Sequence, residues 1–87
     1  MKGFVYILKD QAGRFYVGST TDTKRRLRQH NNGYTQTTRN MVRPQLVLVQ
    51  EYETLDKARK IERKIKNLKR HDYIQKMVDV GLIKMSV

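Results

Sequence analysis

Glu62 is the carboxylate whose neighbours in the sequence most favour a chemical role. Ala58 and Ile65 stand four residues before it and three after it, so a helix would place Glu62 at the margin of an apolar stripe, partly desolvated. One interpretation is an ion pair with Lys66, worth about a few tenths of a kcal/mol on an exposed face. The other is a lone carboxylate amid positive charge that binds a hard divalent cation, completed by water and phosphate oxygens. The residues alone leave both interpretations open.

Two tyrosines and two basic residues could act together. Tyr6 and Tyr16 lie in apolar runs typical of strands, where a tyrosine usually packs its ring and hydrogen-bonds its hydroxyl. Arg26 and His30 stand at i and i+4 of a predicted helix, so they share one side of it and can address one ligand. Alternatively, Arg26 belongs to a solvated basic face, and His30 lies at a helix C-terminus, where its cationic form suits the dipole.

The composition is strongly basic. The 87 residues contain 19 Lys and Arg against 8 Asp and Glu, a net charge of +11, which favours a polyanionic partner such as nucleic acid. The absence of cysteine excludes a disulfide framework and a cysteine nucleophile, and it favours a reducing compartment. The longest apolar run, residues 4–8, is too short to span a membrane, so we expect a cytoplasmic protein.

The elements that must position these residues form a short series without repeats or linkers, so we expect a single domain over residues 1–87. Residues 4–8 and 15–17 predict a β-hairpin around a polar turn that contains Gly13. Residues 45–52 follow Pro44 and predict a third strand. Residues 34–43 show no period, and we interpret them either as a loop that rests against a phosphate backbone or as an exposed polar loop.

Three helices are predicted. Thr21 or Asp22 can cap a first helix that runs to Asn31, with Asn32 and Gly33 closing it. Thr54 can cap a second helix, whose apolar positions share one face: Ala58, Ile61, Ile65 and Leu68. A third helix is expected from about residue 72 to residue 80, with Ile74, Met77 and Val78 towards the core and Gly81 at its end.

The chain contains, in this order, two tyrosine motifs, a helix arginine, a His-Asn pair and a later glutamate: Phe4-Val5-Tyr6, Tyr16-Val17-Gly18-Ser19, Arg26, His30-Asn31 and Glu62. This ordered set resembles the GIY-YIG nuclease domain over almost the whole chain, most closely its small, stand-alone bacterial members. The sequence departs from the family's pattern at Phe4, which replaces a glycine. It also departs at Ser19, where some of these nucleases have a lysine that organises the nucleophile, a role left vacant or filled by Lys24 or another group.

The resemblance implies an α+β fold, a three-stranded and mostly antiparallel sheet flanked by helices, and phosphodiester hydrolysis with one Mg²⁺ or Mn²⁺ ion. It implies that Glu62 binds the metal and that Arg26 stabilises the scissile phosphate. Tyr16 would contact the metal-bound water or act as general base, Tyr6 would orient the nucleophile, and His30 would border the active site. A phenol with a pKa of about 10 is ionised in roughly one part in a thousand at pH 7, so Tyr16 needs nearby positive charge.

The remaining basic residues are candidates for contacts with the nucleic-acid backbone, and we select Lys24, Arg25, Arg28, Arg39, Arg43, Arg63 and Lys66. The leading hypothesis is a metal-dependent endonuclease that acts on DNA, in branched, flapped or single-stranded forms, in repair or recombination. DNA is favoured over RNA, and a protein partner could supply specificity. The alternative is a nucleic-acid-binding module of the same fold with little cleavage. A third hypothesis, a membrane-surface or partner-binding amphipathic helix over residues 54–70, ranks last because the core needs its apolar face.

Overall fold

Strands and helices form the described part of the chain in this computed structural model, which covers residues 1–31 and 43–85, with the backbone alone for His30 and Asn31. In chain order the elements are β1 (Gly3–Lys9), β2 (Phe15–Thr20), α1 (Thr23–Asn31), β3 (Gln45–Tyr52), α2 (Leu55–Leu68) and α3 (His71–Val80). The predicted hairpin, third strand and helices are confirmed. The predicted helix end at Asn32 and Gly33, and the predicted loop over residues 34–42, lie outside the described residues.

The sheet has the order β2-β1-β3, and both neighbouring pairs are antiparallel. The α+β class and the three-stranded sheet expected from the sequence are therefore confirmed. The hairpin turn is held by Asp10, whose buried carboxylate accepts the backbone N–H of Arg14 at 2.7 Å and its Nε at 2.9 Å. Gly13 adopts a φ of 85° in this turn, a conformation that favours glycine.

The register assigns the strand residues to two faces. Val5 pairs with Ser19 and Ile7 with Val17 on one face, and because side chains alternate along a strand, Tyr6 and Gly18 pair on the opposite face. The first face packs against α2 and supplies Val5, Ile7 and Val17 to the hydrophobic core. The second face carries the tyrosines, so the sheet separates the main core from the candidate phenols.

The second helix follows the prediction closely. Thr54 caps it by accepting the backbone N–H of Lys57 at 3.2 Å, and Ala58, Ile61 and Ile65 are completely buried. Burying each isoleucine contributes about 1.5–3 kcal/mol of hydrophobic free energy, which fixes the helix against the sheet. This apolar face is occupied by the core, so it is not available to a membrane surface.

The third helix closes the core from one end. Ile74, Met77 and Val78 are half-buried against the core cluster, and the N–H of Gly81 donates to the carbonyl of Met77 at 2.8 Å where the helix ends. Beyond it, the backbone N–H of Ile83 donates to the amide oxygen of Gln50 on β3 at 2.8 Å. Within residues 1–31 and 43–85, no helix is long and apolar enough to cross a membrane.

Candidate active site

Arg26 is held in place by α1 and β1 together. Asp22 caps α1, since its Oδ1 accepts the backbone N–H of Arg25 at 3.1 Å, which settles the choice that the sequence left between Thr21 and Asp22. The Nε of Arg26 donates to the hydroxyl of Tyr6 at 3.1 Å, and its Nη1 donates to the side-chain oxygen of Gln29 at 3.1 Å. The guanidinium is therefore oriented on two of its nitrogens.

Tyr6 and Tyr16 lie side by side on the second face of the sheet. Their ring centroids are 6.1 Å apart with an interplanar angle of 33°, and Tyr16 lies close enough to contribute to the raised pKa of both Tyr6 and Arg26. The ring of Tyr6 lies directly over Gly18, its partner across the strands. A Cβ at Gly18 would stand only 2.5 Å from Cζ of Tyr6, so the missing side chain makes room for this ring. The space that Gly18 leaves is therefore occupied by the Tyr6 ring.

Tyr6 and Tyr16 differ in burial. Tyr6 is 3% exposed, and this burial raises its pKa to about 12, although the hydrogen bond from Arg26 acts in the opposite direction. The same contact raises the pKa of Arg26. Tyr6 is therefore a neutral phenol at physiological pH. The role that the resemblance implies for it, orienting the nucleophile, stays a prediction. Tyr16 is half-buried, with its ring nearer to the solvent.

Glu62 lies on α2, against the other face of β2. Its side chain is 20% exposed, as expected for the margin of the apolar stripe. One carboxylate oxygen accepts the hydroxyl of Ser19 at 2.5 Å, and the other accepts Nζ of Lys66 at 2.7 Å. The ion pair that the sequence offered as one interpretation of Glu62 is thus present, and Ser19 adds a contact that the sequence did not predict.

The two groups of residues meet around the edge of β2. Tyr6 and Tyr16 come from one face, and Ser19 and Glu62 belong to the face that packs on α2. Lys66 spans the edge: its Nζ contacts Glu62 and lies 5.9 Å from the centroid of the Tyr16 ring. Lys66 thus lies beside both the Glu62 carboxylate and Tyr16, the less buried of the two phenols. The only signal for this in the sequence is its spacing from Glu62.

The other predicted residues divide into two sets. His30 lies on α1, but its side chain and the whole of Arg39 lie outside the described residues. The exposed candidates for backbone contacts are Lys24, Arg25, Arg28, Arg43 and Arg63. Sequence reasoning missed Arg59, which lines a polar cavity of about 270 Å³ together with Arg25 and Arg26. The signal that could have found it is its position one helical turn before Glu62.

A divalent ion would find one carboxylate here. Within residues 1–31 and 43–85, no group of three or more His, Cys, Asp or Glu residues could hold a metal, so Glu62 would be the acidic ligand, with the Ser19 hydroxyl beside it. Mg²⁺ is commonly held by one or two carboxylates and completes its shell with water and substrate phosphates. The donor set therefore fits a Mg²⁺ or Mn²⁺ ion that is shared with a phosphate.

The sheet, its helices and the cluster at the edge of β2 define a small α+β domain with phenols, an arginine and a glutamate around one sheet edge. The family model of the GIY-YIG catalytic domain matches residues 2–77, and the chain belongs to the GIY-YIG family. This nuclease-type domain implies interaction with nucleic acid.

The chain is also similar to bacterial UPF0213 proteins. It is 37% identical over 81 residues to a UPF0213 protein of Staphylococcus epidermidis, covering 92% of this chain and 98% of the relative. A UPF0213 protein of Streptococcus pneumoniae is 34% identical over 70 residues, or 79% of this chain and 71% of the relative. The solution NMR structure of a UPF0213 protein from Bacillus halodurans is 32% identical, with a TM-score of 0.59, over 93% of this chain and 87% of that chain.

Proposed function

We propose that the protein is a metal-dependent endonuclease that hydrolyses phosphodiester bonds in DNA, with branched, flapped or single-stranded DNA as substrate and repair or recombination as its setting. The observation that carries this proposal is the hydrogen bond of Arg26 to the buried hydroxyl of Tyr6, beside Tyr16 and around the edge of β2 from Glu62. A guanidinium held in this way is prepared to receive an anion. The cytoplasmic location expected from the sequence remains part of the proposal.

Arg26 would bind and stabilise the scissile phosphate. Its Nε and Nη1 are occupied by Tyr6 and Gln29, which fixes the plane of the guanidinium without neutralising its charge. Directed donors that need no reorganisation stabilise the charge that develops on phosphate oxygens as the attacking oxygen approaches. Neither Tyr6 nor Gln29 brings a negative charge, so the electrostatic attraction of Arg26 for the phosphate is retained.

Tyr16 would contact the attacking water or act as its general base. It is the less buried of the two phenols and lies beside Arg26 and Lys66, so it is the phenol that an attacking water can reach. Tyr6, kept neutral by burial, would hold both Arg26 and Tyr16 in position. A divalent ion on Glu62 would supply Lewis-acid polarisation of the phosphate and stabilise the leaving oxygen. Lys66, which already contacts Glu62, would keep that carboxylate oriented.

A binding module with little or no cleavage is the alternative function. Both oxygens of Glu62 are already occupied, one by Ser19 and the other by Lys66, and this arrangement satisfies the carboxylate without a metal. The net charge of +11 would then serve binding alone. This alternative predicts DNA binding that weakens with salt and yields no product with any divalent ion.

A cleavage assay decides between the two functions. The full chain is incubated with duplex, flapped, branched and single-stranded oligonucleotides of DNA and of RNA, with Mg²⁺, Mn²⁺ or EDTA. The endonuclease proposal predicts metal-dependent product that falls at least a hundredfold in Arg26→Gln. The control Lys76→Gln removes one positive charge from an exposed residue of α3 and should cleave like the wild type. Cleavage that persists in Arg26→Gln would place the activity elsewhere or in a contaminant.

A further inference from the structure

A basic pocket lies beside Arg26. We call it the arginine pocket and define it by Arg25, Arg26 and Arg59 together with the hydroxyl residues Ser19, Thr20 and Thr21. It has a volume of about 270 Å³ and lies between the end of β2, the first turns of α1 and the N-terminal half of α2. Of the predicted catalytic residues, Arg26 lines this pocket.

The charge in the pocket is unbalanced. Three guanidinium groups face a single carboxylate, Asp22, whose Oδ1 already accepts the backbone N–H of Arg25. Within the part of the chain that the structure describes, no hydrogen bond or ion pair involves the guanidinium of Arg25 or of Arg59. Other cations of α2 do have such partners there, as in the pairs Lys60 with Asp56 and Lys57 with Glu53. Among the described residues, Arg25 and Arg59 therefore line one cavity without an ion-pair partner.

The pocket adjoins the candidate active site directly. Arg26 lines it and also contacts Tyr6, and Ser19 lines it and also donates to Glu62. An oligonucleotide whose scissile phosphate sits at Arg26 would therefore place a neighbouring part of its backbone in the pocket. Guanidinium groups suit phosphate oxygens because their fork of N–H donors can form two parallel hydrogen bonds.

We propose that the arginine pocket binds the backbone phosphate next to the scissile phosphate, with Arg25 and Arg59 as its ligands. This inference rests on the proposed endonuclease function and adds to it a second phosphate site, which fixes the direction of the strand across Arg26. Arg25 and Arg59 position the substrate and take no part in the chemical step. Their loss therefore weakens binding and raises KM, while kcat at saturating substrate is retained.

The test measures DNA binding as a function of salt. Fluorescence anisotropy with a labelled oligonucleotide in EDTA gives Kd for the wild type, for Arg25→Gln/Arg59→Gln and for a control, Lys76→Gln/Lys84→Gln. The control removes the same charge from two exposed residues in and just after α3. Neutralising one phosphate contributes roughly 0.7 to 0.9 to the slope of log K against log salt. We expect the slope to fall by about that amount in the pocket variant and to stay at the wild-type value in the control. Equal slopes in the two double variants would overturn the inference.

A second arm locates the phosphate. Oligonucleotides with a single neutral methylphosphonate linkage are compared between the wild type and the pocket variant. In the wild type, one linkage adjacent to the mapped cut should weaken binding severalfold, and in the pocket variant the same linkage should have no effect. Equal sensitivity of that linkage in both proteins would overturn the inference. Binding without any cleavage would refute the endonuclease proposal, yet the slope comparison would still judge whether the pocket holds a phosphate.

Discussion

Tyr6→Phe is the substitution that most sharply separates packing from catalysis in this site. It removes one oxygen and keeps the buried ring, so the core retains its volume. The lost group is the acceptor for Nε of Arg26 at 3.1 Å. Hydrogen bonds to charged groups contribute about 1.5–3 kcal/mol, but Arg26 is half-buried and water can replace the acceptor, so we expect a loss of roughly 1 kcal/mol in the free energy of unfolding.

The catalytic effect should exceed the effect on stability. Without Tyr6, Arg26 keeps its contact with Gln29 but loses the one that fixes Nε, and a catalytic group displaced by about 1 Å can lower a rate by roughly a hundredfold. We expect kcat to fall by about ten- to a hundredfold and KM to change little, in single-turnover cleavage at saturating enzyme. Urea unfolding of the same protein gives the change in stability.

Tyr52→Phe is the matched control. The hydroxyl of Tyr52 accepts the side-chain N–H of Gln50 at 2.9 Å on β3, at the opposite edge of the sheet from β2. Its removal should cost about 0.5–1.5 kcal/mol of stability and leave kcat unchanged. Equal losses of kcat in the two variants, or no loss in Tyr6→Phe, would refute the idea that Tyr6 positions Arg26.

Three further predictions follow from the same contacts. Burial raises the pKa of Tyr6 to about 12, above the ordinary value of 10, so the stability that the neutral phenol contributes is complete below pH 10 and is lost as the pH rises towards 12. Urea unfolding from pH 9 to 11.5 should therefore show a smaller loss of unfolding free energy in Tyr6→Phe than in the wild type. Gly18→Ala should push the Tyr6 ring aside, cost about 1–3 kcal/mol of stability and lower kcat, which thermal unfolding and cleavage rates check together. Lys66→Met should strengthen Mn²⁺ binding to the free protein about fivefold, because it exposes a Glu62 oxygen and removes a positive charge. Lys60→Met, which breaks another i,i+4 ion pair of α2, should leave the affinity unchanged. Titrations followed by electron paramagnetic resonance measure both affinities, and identical values would count against Glu62 as the ligand.

The regular parts of the fold were predictable because their signals are local. Runs of apolar, mostly β-branched and aromatic residues specified β1 and β3, and the 3.6-residue period of Ala58, Ile61 and Ile65 specified the buried face of α2. Local patterns also gave Thr54 as a cap and Gly81 as a helix end. Asp22 could not be chosen over Thr21, since both residue types cap helices and only the position of the first turn separates them.

The site was only partly predictable because its contacts depend on register. Ser19 attracted notice only as a missing lysine, since its pairing with Val5, which turns it towards Glu62, is a long-range property of the hairpin and α2. Gly18 needs to be small because Tyr6 lies opposite, and that too follows from register. In the sequence, Arg59 is one of many cations of a basic helix, and only the packing of α1 and α2 shows that it lines the same pocket as Arg25. Residue types thus identified candidates, and the packing of the sheet edge decided which of them meet.

A double-mutant cycle on Arg26 and Glu62 tests most directly the central claim that both residues serve one phosphodiester-hydrolysis site. Single-turnover rates are measured for the wild type, Arg26→Gln, Glu62→Gln and the double variant, with circular dichroism to show that each is folded. Residues that act as a unit show strongly non-additive effects, so the double variant should be slower than the slower single variant by no more than about threefold. Losses that multiply in the double variant, or a Glu62→Gln protein that cleaves at the wild-type rate, would contradict the account.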